Sequence, residues 1–271
     1  MRNPAVAGLF YSGRAEDLAE EVDSALSSAS QETLPIVGAV VPHAGYMYSG
    51  GVAAEVYARL PRRETYVLIG PNHSDPRNVL AAASIDSWKT PLGAVDADKE
   101  LAVALAGSII DCDEEAHRGE HSLEVQLPFL QRRFSGFKIL PISMGGQDYD
   151  TALEVGEAVA GAIIDLGRDC TILASSDFSH DLPYDDARRL DIKLVEAILK
   201  MDIAYLYSLA EFHSQNYGYK ATPCGLGPIA ATIAISKKLG AKMAKLLRYS
   251  TSKDVDPNGS RVVGYSAIAF T

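Results

Sequence analysis

Three short, β-branched apolar runs dominate the chain, and each ends in a turn that carries a histidine. They are Ile36-Val-Gly-Ala-Val-Val-Pro-His43, Tyr66-Val-Leu-Ile-Gly-Pro-Asn-His73 and Thr171-Ile-Leu-Ala-Ser-Ser-Asp-Phe-Ser-His180. None of them alternates polar with apolar. A strand of that composition is covered on both faces, which is the signature of a parallel sheet wrapped by helices. In open α/β sheets the loops leaving the carboxyl ends of the strands converge on one crevice. The pattern therefore predicts three imidazoles brought to one place from distant parts of the chain.

The segments between the runs supply the helices. Leu18, Val22 and Leu26 repeat at helical spacing among acidic residues, so 14–29 reads as amphipathic. Further helices are predicted over 52–60, 98–109, 149–166, 185–200, 202–211 and 228–239, and further strands over 78–86, 137–143, 244–250 and 261–270. Residues 120–131 read as a helix kinked near Glu124 by Pro128. Trp88 to Gly93 reads as a turn. The alternation without a long linker predicts one α/β domain over 1–271, with a central, mostly parallel sheet, helices on both faces and an antiparallel pair at the carboxyl end.

Composition excludes several classes. A formal charge of −10 spread along the chain, with no basic tract, is the wrong sign for a nucleic-acid surface. No segment has the length of apolar sequence that a membrane span needs. Three cysteines cannot form a fully paired disulfide set, and the opening residues lack a signal-peptide core, so a cytoplasmic location is expected.

Four clusters carry potential chemistry. His43 and His73 follow the first two strands. Asp177 and His180 share the third loop, where a carboxylate can orient an imidazole. Glu120, His121 and Glu124 form an acidic and basic group in which His121 and Glu124 share a helical face. Cys224, in Thr222-Pro-Cys-Gly-Leu-Gly-Pro228, precedes an apolar helix whose amino terminus would stabilise a thiolate. His117 and His213 read as surface residues, and Cys170 as packing. These groups suit either a cysteine nucleophile with a histidine base or a mononuclear metal site of two histidines and one anion.

Pro4-Ala-Val-Ala-Gly-Leu-Phe-Tyr11, Pro42-His-Ala-Gly-Tyr-Met-Tyr-Ser-Gly50, Ile69-Gly-Pro-Asn-His73, Glu120-His-Ser-Leu-Glu-Val-Gln-Leu-Pro128, Ser175-Ser-Asp-Phe-Ser-His180 and Cys224-Gly225 together resemble the Memo family. The resemblance runs over essentially the whole chain. It implies a fold similar to the catalytic subunit of class III extradiol dioxygenases, which use non-haem iron(II). It also implies His43, His73 and Cys224 as metal ligands, with Asp177, His180 and His121 lining the pocket as catalytic groups. Tyr46, Glu120 and Glu124 are the expected substrate-binding residues. The dioxygenases use a glutamate where this chain has Cys224, and a thiolate shifts preference towards copper or another thiophilic metal. The resemblance thus implies an iron- or copper-dependent redox enzyme acting on a small molecule, or alternatively a metal- or peptide-binding scaffold using the same crevice.

Overall fold

In the computed structural model, which describes all residues except 76 and 78, helices and strands alternate from the first turn. The order begins α1 (Ala15–Ser28), β1 (Gly38–Val41), α2 (Tyr46–Tyr57), β2 (Thr65–Pro71), β3 (Ala81–Ala83), β4 (Trp88–Thr90) and β5 (Gly93–Val95). It continues α3 (Lys99–Ala104), β6 (Ile110–Cys112), α4 (Leu127–Arg133), β7 (Lys138–Met144), α5 (Tyr149–Leu166) and β8 (Cys170–Ser175). It ends α6 (Tyr184–Leu199), α7 (Ile203–Tyr217), α8 (Leu226–Lys238), β9 (Ala244–Thr251) and β10 (Gly264–Phe270).

Eight of these strands form one mixed sheet in the order β6-β3-β7-β2-β8-β1-β10-β9. The central block β7-β2-β8-β1 is parallel throughout, with Val41 opposite Ser175 and Ile69 opposite Ala174 and Ile142. β10 and β9 extend it antiparallel, as the sequence predicts, and β3 is also antiparallel to β7. Successive residues of each strand are divided between two cores. Tyr66 and Leu68 pack with α1, α2 and α4, whereas Val67 and Ile69 pack with α3, α5 and α8. Both faces are covered, which is why these strands read as unbroken apolar runs. The result is a single α/β domain with a mostly parallel central sheet.

Several boundaries differ from the sequence reading. Residues 120–131 are not one kinked helix. A 3-10 turn at Glu124–Gln126 leads into α4, and Pro128 occupies its first turn, where a missing N–H removes no helical hydrogen bond. Trp88 to Gly93 belongs to the small β4–β5 hairpin. The strand expected over 78–86 is only Ala81–Ala83, and its expected start at 78 lies outside the described residues. α3 is shorter than expected, and α7 runs on to Tyr217.

The parallel block fixes the site. β1, β2 and β8 end at the same edge of the sheet, so the loops bearing His43, His73 and Asp177 leave side by side. Gly70, at the end of β2, lets residues 120–123 lie across that edge: a Cβ there would stand 2.7 Å from Leu123 Cδ2 and Ser122 Oγ. Gly225 does the same for the Cys224 turn, where a Cβ would meet the Ser175 carbonyl oxygen at 2.7 Å.

Candidate metal centre

Of the three histidines that cluster at this edge, His43, His73 and His121, His43 is the most enclosed. It follows Pro42 at the end of β1 and its side chain is 3% exposed. Its backbone N–H donates to Asp177 Oδ1 at 2.8 Å, and its Nδ1 lies 2.9 Å from Ser175 Oγ. The other ring nitrogen, Nε2, is 3.3 Å from Cys224 Sγ and 4.0 Å from Asp177 Oδ2. Burial and the neighbouring His73 and His121 hold its pKa well below the usual histidine range, so the ring is neutral.

His73 hangs from the loop after β2 and depends on Glu120. The carboxylate accepts from the His73 backbone N–H and faces its Nδ1 at 3.1 Å, and it also accepts from Ser122 N at 2.8 Å. Burial opposes ionisation of Glu120, but these donors outweigh it and pull the pKa down to about 2. His121 Nδ1 is 3.5 Å from the same carboxylate. The rings of His43 and His73 are 5.3 Å apart, those of His43 and His121 5.4 Å, and those of His73 and His121 4.9 Å. One nitrogen from each of the three lies within 4.8 Å of the others, close enough to share a metal ion.

Cys224 sits one residue before the cap of α8, its N–H donating to the Asp177 carbonyl at 3.2 Å. Contrary to the thiolate expected from helix position, burial and then Asp177 push the thiol pKa far above its ordinary value. A buried thiol beside a carboxyl group gains more from desolvation than the helix end returns. Without a cation the group is therefore a neutral thiol, which weakens the reading of Cys224 as a metal-free nucleophile. Burial also lifts Asp177 to about 7, against the N–H groups of His43 and Ala44. His180 is half-buried, with its pKa lowered by burial. It joins His73, Cys224, Tyr219, Lys220 and Leu226 around a cavity of about 490 Å³.

The remaining expected residues are engaged in the protein itself. Glu124 is buried and pairs with Arg2 Nη1 at 2.7 Å, while also accepting from Tyr11 Oη and the N–H groups of Ala5 and Val6. Tyr46 donates its hydroxyl to the Val125 carbonyl within the core. His117 and His213 are both fully buried rather than on the surface. His117 meets Trp88 edge to face and faces the Ala82 carbonyl at 3.0 Å; its polar neighbours in sequence conceal a tertiary pocket. Ser122, Gln126 and Ser175 touch the site and were missed by sequence reasoning. In sequence Ser175 is only the polar end of an apolar run, and Ser122 and Gln126 are polar positions among others in a mixed stretch.

Fold and cluster together define an α/β protein with a histidine-rich crevice at the ends of its parallel strands. The chain belongs to the Memo family: residues 2–269 match the family of Memo-like proteins. It is 49% identical over 269 residues to a MEMO1 family protein of Methanosarcina barkeri, covering 99% of both chains. It is 44% identical over 270 residues to one from Archaeoglobus fulgidus, covering 100% of this chain and 99% of that one. The fold is also that of an uncharacterized Escherichia coli K12 protein, with a TM-score of 0.58, 14% identity and coverage of 86% and 99% of the two chains. Among the described residues no helix is long and apolar enough to cross a membrane.

Proposed function

We propose that the chain is a metal-dependent redox protein whose centre is formed by His43, His73 and Cys224 and takes iron(II) or copper. The observation that carries this reading is the 3.3 Å separation of Cys224 Sγ and His43 Nε2, with the His73 ring 5.3 Å from that of His43 and Cys224 and His73 lining one cavity. Two donors bound tetrahedrally at ordinary metal–nitrogen and metal–sulfur lengths stand about 3.5 Å apart. Two imidazoles and a thiol that ionises on binding make a soft, mixed donor set suited to a redox-active ion. A bound metal would supply electron transfer or activation of a small substrate in the adjoining cavity.

The protein groups around it have separable tasks. Glu120 orients His73, and Asp177 fixes the backbone of His43. His180, on the cavity wall, and His121, beside Glu120, are placed to hold or pass a proton near a ligand. Tyr46 and Glu124 contribute by fixing the walls that present these groups. The cavity suits a small organic molecule or a short peptide segment, and the centre calls for neither a nucleic acid nor a membrane.

Elemental analysis of anaerobically purified protein tests the reading, followed by absorption spectroscopy of the iron- or copper-loaded form. Loading near one metal per chain is expected, with a sulfur-to-metal charge-transfer band that disappears in Cys224→Ser. Loading far below one per chain that is unchanged in His43→Ala would overturn it.

A further inference from the structure

The hydrogen bonds behind His43 determine which of its two nitrogens is free. Ser175 Oγ lies 2.6 Å from the Ser122 carbonyl oxygen. A carbonyl only accepts, so the single Ser175 hydroxyl proton is committed there. Gln126 Nε2 then donates to Ser175 Oγ at 2.9 Å. The orientation of that amide is fixed, because the same nitrogen reaches the carbonyl oxygens of Pro42 at 3.0 Å and Ser122 at 3.3 Å. Its oxygen accepts from the buried Tyr57 hydroxyl at 2.7 Å. With its proton spent and one lone pair used, Ser175 Oγ has only an acceptor site left for His43 Nδ1 at 2.9 Å. Nδ1 must carry the hydrogen, and in a neutral imidazole Nε2 then holds the lone pair.

We propose that Ser175, locked by the Ser122 carbonyl and the Gln126 amide, is a positioning residue that sets the tautomer of His43 and presents Nε2 towards Cys224. Its use as a metal-donor selector rests on the metal-centre reading above; the tautomer itself does not. The arrangement is costly to build unless it has a use. Three polar groups, Ser175, Gln126 and the Ser122 carbonyl, are buried at the end of an apolar strand, and they are bonded to one another so that the acceptor site left on Ser175 Oγ faces His43 Nδ1. The same stretch, 120–126, holds both halves of the site. Glu120 faces Nδ1 of His73, and Gln126 and Ser122 act through Ser175 on Nδ1 of His43.

Long-range proton–nitrogen correlation NMR on metal-free protein with labelled histidine decides the tautomer, the His43 signals being identified by their loss in His43→Gln. A pyrrole-type Nδ1 and a pyridine-type Nε2 are expected. In Ser175→Ala the preference should collapse to a mixture or reverse, and zinc(II) affinity, measured by chelator competition, should fall by about 10- to 100-fold at an unchanged circular dichroism spectrum. Ser175→Thr, which keeps the hydroxyl, should restore both. Should Ser175→Ala fail to fold, Ser175→Cys, whose sulfur is a far weaker acceptor, should shift the tautomer in the same direction. A wild-type His43 protonated on Nε2, or a folded Ser175→Ala protein with its Nδ1–H tautomer intact, would overturn the proposal. Absence of zinc(II) binding by the wild-type chain would instead sink the metal-centre reading, with the tautomer still decided by the NMR.

Discussion

The two histidines that end β1 and β2 are built in opposite ways. His43 is enclosed, held through its backbone by Asp177 and through its ring by Ser175, and both partners come from a neighbouring strand end. His73 has a side chain 35% exposed and hangs in a loop from one carboxylate, Glu120. A fully surrounded ring has lost its rotamer freedom during folding, so binding costs it little further entropy. A ring on a loop keeps freedom that must be surrendered when it is used. The contrast shows a site that is rigid at its buried end and adaptable at its cavity end, where a ligand would arrive.

The largest effect expected from this asymmetry is at the rigid end. His43→Ala should weaken zinc(II) binding by well over the roughly 100-fold ceiling typical of groups that act only through a ligand. Isothermal titration of metal-free protein measures it. If His73→Ala costs far more than His43→Ala, the assignment of rigid and adaptable ends is reversed.

Next comes the single support of the adaptable end. Glu120→Gln keeps the shape but removes the charge that accepts from both His73 donors, and about a 10- to 100-fold loss of zinc(II) affinity is expected. The same carboxylate, with its folded pKa near 2, contributes stability that is present above the ordinary glutamate range and is lost as pH falls from about 4.5 towards 2. Urea denaturation at pH 6 and pH 3 should show wild type losing more stability than Glu120→Gln across that interval. Parallel losses in the two proteins would mean that Glu120 is not held ionised by His73.

How much of this contrast was legible in the sequence follows from where each support lies. The parallel block, His43, His73, Asp177 and His180 could be placed because composition and turn residues mark strand ends locally. Residues 149–166 have both a helical repeat and a terminal glycine, and the helix found there has the same limits. The supports were a different matter. Ser175 reads as the last residue of a strand and Gln126 as one more polar position near Pro128. Their contact is made across the sheet edge, from a stretch whose Ser122 and Leu123 side chains occupy the space that a Cβ at Gly70 would fill. His117 and His213 failed for the same reason in reverse, since a polar sequence context does not reveal a tertiary pocket.

Asp177 supplies a smaller and sign-specific effect at the rigid end. Burial raises its pKa from 3.8 to about 7, so between those values the folded metal-free chain binds more protons than the unfolded chain. Stability should therefore fall as pH rises from about 4 to 7, through the contribution of this group. Asp177→Asn keeps an acceptor for the His43 N–H and should flatten that part of the profile. Chemical denaturation at several pH values across the window checks it. An unaltered slope would show that Asp177 is ionised in the folded protein.

The smallest effect belongs to the cavity rim. Lys220 Nζ meets Asp181 Oδ2 at 2.7 Å, joining the His180 loop to the segment before Cys224. Both partners are well exposed, at 41% and 59%, so water screens the pair and competes for its charges. The two loops are in any case joined by the His180 N–H bond to the Lys220 carbonyl at 2.8 Å, which a side-chain change leaves in place. Lys220→Ala should therefore leave the urea midpoint and zinc(II) affinity within measurement error of wild type. A loss of affinity comparable to that of Glu120→Gln would move the adaptable boundary of the site outward, making the rim as much a support of the metal donors as the buried carboxylate.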